Sequence, residues 1–508
     1  MSSIRIRRAL ISVFYKDNLE PIIHRLAKSG VEFVSTGGTQ TFIEKLGYPV
    51  IPVESLTGYP EIFGGRVKTL HPAIFGGILF RRENNHDLEE AKAHKILPID
   101  LVIVDLYPFE ETVAKKESAE AIIEKIDIGG ISLIRAAAKN YQDALIVSSR
   151  NQYAALLELL EKNDGASSLQ DRYNFAAAAF EMTSHYDAAI FNYFNTTAGI
   201  HAFKSSYQSG RVLRYGENPH QKATYFGDLN SLFDQLNGKE LSFNNLVDVD
   251  AAVSLIAEFK NDTAFVIIKH TNACGVATGE TVLRAYQSAL QADPVSAFGG
   301  ILVTNKQVDL AAAEEINKLF FEILIAPAYD EKALELLRSK KNRMILLQKQ
   351  PVHQTVQFKS LLNGVILQDA DLATEVNSDL KPVTQRLPSA SETEALLLAA
   401  KICKHTKSNA IVLANGDKML SSGVGQTSRV DALRQAIEKA RSFNMDIKGC
   451  VMASDAFFPF PDCVEIAAAA GISAIIQPGG SVKDQDSIDC CDKHGLAMVF
   501  SGKRHFKH

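Results

Sequence analysis

The sequence predicts an α/β protein of more than one domain. Short β-branched apolar runs alternate with stretches of helical period, and glycine, proline, asparagine and aspartate punctuate the changes between them. At 508 residues the chain also exceeds what a single core normally organises.

The elements follow in order. The N-terminal MSSIRIRRALISVF sets basic residues before an apolar run, as a signal peptide does. That run stops at Tyr15-Lys16-Asp17 without a small-residue cleavage site, so it reads as a first strand. RRALISVF, VEFVST, PVIPV, DLVIVDLY and DALIVSS read as strands, and NLEPIIHRLAKSG and TQTFIEKLG as helices capped by glycine. This rhythm implies a parallel sheet covered by helices, with ligands at the C-terminal strand ends. Residues 151–197 read as mostly helical.

The stretch IHAFKSSYQSGRVLRYGENPHQ breaks the pattern and places a domain boundary near residue 200, dividing the chain into 1–200 and 201–508. Beyond it, TAFVIIKH, GGILVTN, NAIVLAN, GCVMASD and ISAIIQPG read as strands. TVLRAYQSALQA, VDALRQAIEKARSF and CVEIAAAAG read as helices. A strand followed by a polar turn occurs twice, at AFVIIKHTN and AIVLANGD, and suggests two related lobes. Residues 331–395 read as a polar connector between them.

Composition narrows the function. Hydrophobic residues make up 46% and charged residues 22%, the balance of a globular soluble protein, and no apolar run approaches the ~18 residues of a membrane span. The net charge of -5 argues against a general nucleic-acid binder while leaving room for local basic pockets. Six cysteines without a C-x-x-C pair read as reduced thiols of a cytoplasmic protein.

Several motifs carry candidate chemistry. STGGTQ, from Ser35 to Gln40, follows a strand and opens a helix; its N–H groups suit a phosphate, or it is a plain turn. GGRVKTLHP brings Arg66, Lys68 and His71 into one loop, suited to an anionic substrate or simply solvated. DLYPF puts Tyr107 at the end of an apolar strand, in a site or in packing. IDIGGISLIRAAAKN places Asp127 before two glycines and a helix, with Arg135 and Lys139 on one face; Lys139 alternatively favours the helix end electrostatically. LRYGENPHQ, IIKHTNACG, DPVSAFGG, SSGVGQTSRVDA and SDAFFPFPD follow. In the second of these Lys269 and His270 are adjacent, a pair suited to proton handling. Strand alternation lets both reach one site only where the strand has ended. GKRHFKH ends the chain as a binding tail, a frayed basic tail or a tag remnant. No H-x-E with P-C-x-x-C is present and His270 with Cys274 lacks partners at ligand spacing, so no zinc is expected.

Taken in order, GGRVKTLHP, LYPF, IDIGG, RAAAKN, LRYGENPHQ, KHTNACG, DPVSAFGG, GVGQTSRVDA, SDAFFPF and RHFKH resemble the bifunctional phosphoribosylaminoimidazolecarboxamide formyltransferase and IMP cyclohydrolase family over almost the whole chain. The resemblance implies an N-terminal methylglyoxal-synthase-like parallel-sheet domain. It also implies a C-terminal transformylase of two cytidine-deaminase-like lobes without zinc, with sites formed across a homodimer. The implied reactions are formyl transfer from 10-formyltetrahydrofolate, as co-substrate, to aminoimidazolecarboxamide ribonucleotide (AICAR), then closure of the formylated product (FAICAR) to inosine monophosphate (IMP). No metal, nucleic acid or membrane is implied.

Carried over, the resemblance gives the cyclohydrolase Lys68, Tyr107, Asp127 and Lys139, with Ser12, Lys16, Ser35, Thr36, Gly37, Gly38, Thr39 and Arg66 holding nucleotide. It gives the transformylase Lys269, His270 and Asn409, with Arg214, Tyr215, Arg504 and His508 on the ribonucleotide and Phe457 and Asp462 near folate. The chain departs from the family's usual pattern at Phe14-Tyr15-Lys16-Asp17-Asn18, where S-D-K-T-G is common, at Ala273 and at Tyr141. Two alternatives follow from the same residues. A single-activity enzyme would lack a lysine or acid in one site, and neither is missing; a zinc nucleoside deaminase would need ligand spacings that are absent.

Overall fold

The computed structural model describes residues 3–352 and 354–508, and divides the chain into two compact units, residues 1–209 and 210–508.

The first unit is built on a five-stranded sheet. Its strands are β1 (Arg8–Ser12), β2 (Glu32–Ser35), β3 (Val50–Pro52), β4 (Leu101–Val104) and β5 (Leu145–Val147), in the order β3-β2-β1-β4-β5. All pair in parallel. Leu10, Ile11, Val34, the whole of β4 and the whole of β5 are buried, as a sheet covered on both faces requires. The covering helices include α1 (Glu20–Lys28), α2 (Gly37–Lys45), α3 (Pro72–Leu79), α4 (Gly129–Lys139), α5 (Tyr153–Lys162) and the long α6 (Leu169–Ala198). Ser168 caps α6 in a reciprocal box with Asp171, and Gly199 ends it in the left-handed region. The chain runs β1 to β3 one way, then returns to place β4 on the other side of β1. This switch opens a crevice beyond the C-terminal ends of β1 and β4.

The second unit carries a twelve-stranded sheet made of one topology used twice. The first lobe runs β6 (Phe233–Asn237), α7 (Phe243–Ile256), β7 (Thr263–Lys269), β8 (Asn272–Gly279), α8 (Val282–Ala292), β9 (Ile301–Thr304), α9 (Leu310–Ile316), β10 (Ile323–Ala326), α10 (Glu331–Arg338) and β11 (Met344–Gln348). The second repeats that succession as β12 (Lys381–Pro382), α11 (Ala390–Lys404), β13 (Ile411–Asn415), β14 (Lys418–Gly423), α12 (Arg429–Ser442), β15 (Val451–Ser454), α13 (Asp462–Ala470), β16 (Ala474–Gln477), α14 (Asp484–His494) and β17 (Ala497–Phe500). Strand order is β6-β11-β10-β9-β7-β8 in one lobe and β12-β17-β16-β15-β13-β14 in the other, joined where β8 meets β14. The duplication reaches single hydrogen bonds. Asn305 Oδ1 accepts the Ala264 N–H at 3.0 Å, and Asp455 Oδ2 accepts the Ala410 N–H at 3.1 Å, at matching register positions.

The lobes are also tied by a buried ionic cluster. Glu258, following α7, accepts from Lys404 Nζ at 2.7 Å, His405 Nε2 at 3.0 Å and Thr374 Oγ1 at 2.5 Å. Burial alone raises the Glu258 carboxyl, but these donors outweigh it and hold it down at about 2.

One expectation needs correction. Residues 331–348 are not connector: EKALELLR is an amphipathic helix and MILLQ a buried strand that complete the first lobe. The intervening polarity comes from an exposed hairpin, Val356–Leu361 with Gly364–Asp369, that stands outside the large sheet.

Candidate active sites

In the first unit the predicted residues gather at the crevice beyond β1 and β4. The turn after β1 donates the N–H groups of Phe14 and Tyr15 to Asp105, which follows β4. Thr39 on α2 exchanges hydrogen bonds with both backbone groups of Val13, at 3.1 and 3.0 Å, and Ser35 Oγ donates to the Ile11 carbonyl at 2.6 Å. These contacts fix the STGG segment at the start of α2. Thr36, its N-cap, makes no side-chain cap, so the first N–H groups of α2 stay available to an anion.

Gly37 is in the left-handed region at φ 55°, and the Lys68 ammonium lies 3.5 Å from where its Cβ would be. Lys68 pairs with Glu61 at 2.5 Å, and Arg66 pairs with Glu124. Thr69 approaches Gly129, with its Oγ1 3.3 Å from a Cβ built there, and so carries the Lys68 loop to the start of α4. Buried Asp127 sits at that same point, accepting the Gly130 N–H at 2.6 Å. Burial pushes the Asp127 carboxyl up, against the N–H groups of Gly130 and Tyr107, which makes it a candidate proton carrier. The Tyr107 ring is exposed and lies 5.8 Å from that of Phe14. Lys16 turns its ammonium to the carbonyls of Val13 and Phe14; burial lowers its pKa against the pull of Asp105. Ser12 ends β1 and Gly38 lies in the first turn of α2.

Two features of this crevice escaped the sequence reading. Lys125 places its ammonium 5.5 Å above Phe14 and 5.7 Å above Tyr107, and Tyr186 of α6 supports the segment by bonding the Lys125 carbonyl at 2.6 Å and the Asp127 N–H at 3.0 Å. Lys139 lies at the other end of α4 from Gly129. It ends the 11-residue α4, about 15 Å along the axis from Gly129 at ~1.5 Å per residue, so the structure does not bring it to Lys68 and Asp127. With Arg135 it lines a separate cavity of about 600 Å³ walled by Phe75, Leu79, Tyr173 and Phe180.

In the second unit the turn between β7 and β8 and the segment before β13 lie beyond the same ends of the central strands. His270 and Thr271 are the turn, at φ 49° and 65°. Lys269 ends β7 and donates its ammonium to the Phe298 and Gly299 carbonyls of the DPVSAFGG loop, at 3.1 and 2.9 Å. Asn272 bridges to the other lobe, its Oδ1 accepting the Lys407 N–H at 3.1 Å. Asn409 then donates Nδ2 to the Gln426 carbonyl at 2.9 Å.

The chain end joins the segment before β13. Lys507 and Ser408 exchange hydrogen bonds at 2.9 and 3.0 Å, and the His505 N–H donates to the Asp455 carbonyl at 3.0 Å. His505 is buried between Asp371 at 2.6 Å and Glu375 at 2.9 Å. Its neighbours Arg504 and His508 are exposed. Arg504 and Arg429 both stand over the Phe506 ring, at 4.6 and 5.7 Å, with Arg504 exposed and Arg429 largely buried against Asp455. Arg429, within the GVGQTSRVDA motif, pairs with Asp455 at 3.5 Å and joins this group without any local signal of it in the sequence.

Of the aromatic cluster, Phe458 is core, while Phe457 and Phe460 are exposed and Asp462 opens α13. Arg214 stacks on its neighbour Tyr215 at 4.7 Å in an exposed turn after residue 212. Among the described residues no group of three or more His, Cys, Asp or Glu side chains is arranged to hold a metal ion. No helix among them is long and apolar enough to cross a membrane. The six cysteines are free.

Comparison with known proteins returns one answer. The profile described as AICARFT/IMPCHase bienzyme matches residues 137–439, and one described as MGS-like domain matches residues 18–132. The bifunctional purine biosynthesis protein PurH of Bacteroides thetaiotaomicron is 60% identical over 504 residues, with 99% of each chain covered. The proteins of that name from Lactobacillus delbrueckii subsp. bulgaricus and Aquifex aeolicus are each 47% identical, over 99% of this chain and 100% of their own.

Proposed function

The chain belongs to the AICARFT/IMPCHase bienzyme family, and from that premise we propose how its residues divide the work. Its reactions are the last two steps of IMP biosynthesis: formyl transfer from a folate-type co-substrate, then ring closure. We take the donor to be 10-formyltetrahydrofolate, the nucleotides to be AICAR and FAICAR, the enzyme to be a cytoplasmic homodimer, and the units 1–209 and 210–508 to be the cyclohydrolase and the transformylase.

In formyl transfer the 5-amino nitrogen attacks the formyl carbon and the folate N10 leaves. The amine loses one proton and N10 gains one. That amine is a poor nucleophile, its lone pair spread into the imidazole and carboxamide, so the site must position it, take its proton and stabilise a tetrahedral oxyanion. His270 is our proton acceptor. Lys269 supplies positive charge beside it, and Asn409 orients the reacting groups. Arg504, His508, Arg214 and Tyr215 bind the ribonucleotide, with Phe457 and Asp462 near the folate.

In ring closure the carboxamide nitrogen attacks the new formyl carbon and water departs. The N–H groups opening α2, with Ser12, Lys16, Ser35 to Thr39 and Arg66, hold the nucleotide. Lys68 stabilises the oxygen charge, and Asp127 with Tyr107 relays protons. Lys139, at the far end of α4, is the second lysine proposed for the oxygen charge.

The observation that carries the cyclohydrolase reading is Lys68 reaching Gly37 while its loop abuts Asp127 and Gly129. Supplied with FAICAR, Lys68→Ala should lose about 10²–10³ in kcat, the usual cost of an oxyanion donor. Retention of the normal rate would remove Lys68 from the mechanism.

A further inference from the structure

We propose that Asp248 is a positioning residue of the transformylase, fixing the left-handed turn that presents His270. The proposal rests on the reading of His270 as proton acceptor, and it concerns a residue that neither that reading nor its motif includes.

The turn between β7 and β8 has two central residues, both with positive φ: His270 at 49° and Thr271 at 65°. This is the mirror-image turn of tight hairpins, for which asparagine-glycine is the favoured pair. A β-branched threonine is among the residues least suited to it. The fold itself does not demand the strain. The equivalent turn between β13 and β14 in the duplicate lobe uses Gly416, at φ 59°. The strained residues stand in the lobe whose turn carries the imidazole.

Something must over-determine that geometry. Within the hairpin the His270 carbonyl accepts from Thr271 Oγ1 at 2.6 Å and Asn272 Nδ2 at 2.9 Å. Both bonds are internal to the hairpin and do not hold the Thr271 N–H. Outside the hairpin, the flanking Lys269 holds the Phe298 and Gly299 carbonyls and Asn272 holds the Lys407 N–H, while the bond to the turn's own backbone comes from Asp248 on α7, whose Oδ1 accepts the Thr271 N–H at 2.8 Å. Asp248 is half-buried; burial pushes its carboxyl up, while the Thr271 N–H and the charges of His270 and Lys269 pull it down. Its backbone is fixed by α7, which is packed on β7 and capped by Ser242. The bond therefore locks the imidazole-bearing turn to a rigid element, as a precise proton acceptor requires.

Three substitutions in the full-length enzyme separate this role from an electrostatic one. Asp248→Asn keeps an acceptor oxygen and loses the charge. Asp248→Glu keeps the charge and displaces the oxygen. Asp248→Ala removes both. Positioning predicts that the Glu and Ala variants lose about 10- to 100-fold in formyl-transfer kcat, with the AICAR KM within about threefold. The Asn variant should stay within about threefold of the parent. Ring closure, read on the same samples, should be unchanged in all three. Should Asp248→Ala fail to fold, the Asn and Glu pair still decides. The reverse order, with Asn impaired and Glu active, would overturn positioning in favour of charge, and parental activity in all three would overturn any role. His270→Ala, run alongside, keeps the two readings apart. If it is active the reading of His270 fails; if it is inactive while Asp248→Glu and Asp248→Ala are normal, only the Asp248 proposal fails.

Discussion

His505 shows how one buried side chain decides what its neighbours can do. It lies between Asp371 and Glu375, and its backbone N–H is tied to the Asp455 carbonyl, while Arg504 and His508 on either side point to solvent. Burial lowers the His505 pKa, but the two carboxylates outweigh it and carry it above the ordinary value of 6.5. A raised pKa means the imidazolium attracts both carboxylates fully below pH 6.5, and that contribution is lost as pH climbs through the folded-state value. His505→Gln should therefore destabilise the second unit most at pH 6 and progressively less toward alkaline pH. Denaturant midpoints of parent and variant across that range measure it, and a difference independent of pH would show that the imidazolium is not what anchors the tail. The sequence offered RHFKH as a motif but gave no sign of this anchor, because Asp371 and Glu375 lie about 130 positions away in a segment read only as connector.

Elements were legible where local preference and tertiary demand agree. TAFVIIKH declares a strand by its β-branched, apolar run, and β7 is one. NACGVATG does not, yet β8 is a central strand. Its Gly275 is set by a helix pressed against it: a Cβ there would lie 2.1 Å from the Ala289 carbonyl of α8. Gly423 in β14 meets Ala432 of α12 in the same way, at 1.8 Å. Small residues chosen by packing erase the strand signal. The turn after β7 was legible as chemistry but not as geometry, since nothing in Lys-His-Thr-Asn announces two left-handed residues. The tail is the element with the clearest kinetic consequence. Deleting Arg504 to His508 should raise the AICAR KM in formyl transfer and leave ring closure untouched. In the proposed role Arg504 would contact the nucleotide in ground and transition states alike, so the expected loss is one of binding. Unchanged transformylase kinetics in the truncated enzyme would reduce RHFKH to a solvated tail.

At the scale of the molecule, the proposed function gives two sheets of different topology one reaction each. The first unit uses a topological switch point, where the turns after β1 and β4 meet, and that position follows from βαβ order alone. The second unit duplicates one lobe and then lets the copies diverge: His270-Thr271 against a glycine turn, and Asp455 against Asn305. The sequence suggested the repeat only at two strand-turn segments, because divergence had removed the residue identity while topology and hydrogen-bond register persisted. The central claim is that each unit carries a complete and separate chemistry. The most direct measurement assays both half-reactions on two full-length variants, Lys68→Ala and His270→Ala, with AICAR and formyl donor in one set and FAICAR in the other. The account predicts reciprocal loss: Lys68→Ala converts AICAR to FAICAR and stops there, and His270→Ala makes no FAICAR but closes supplied FAICAR at the parental rate. Loss of both reactions in either variant, with the fold intact, would contradict it.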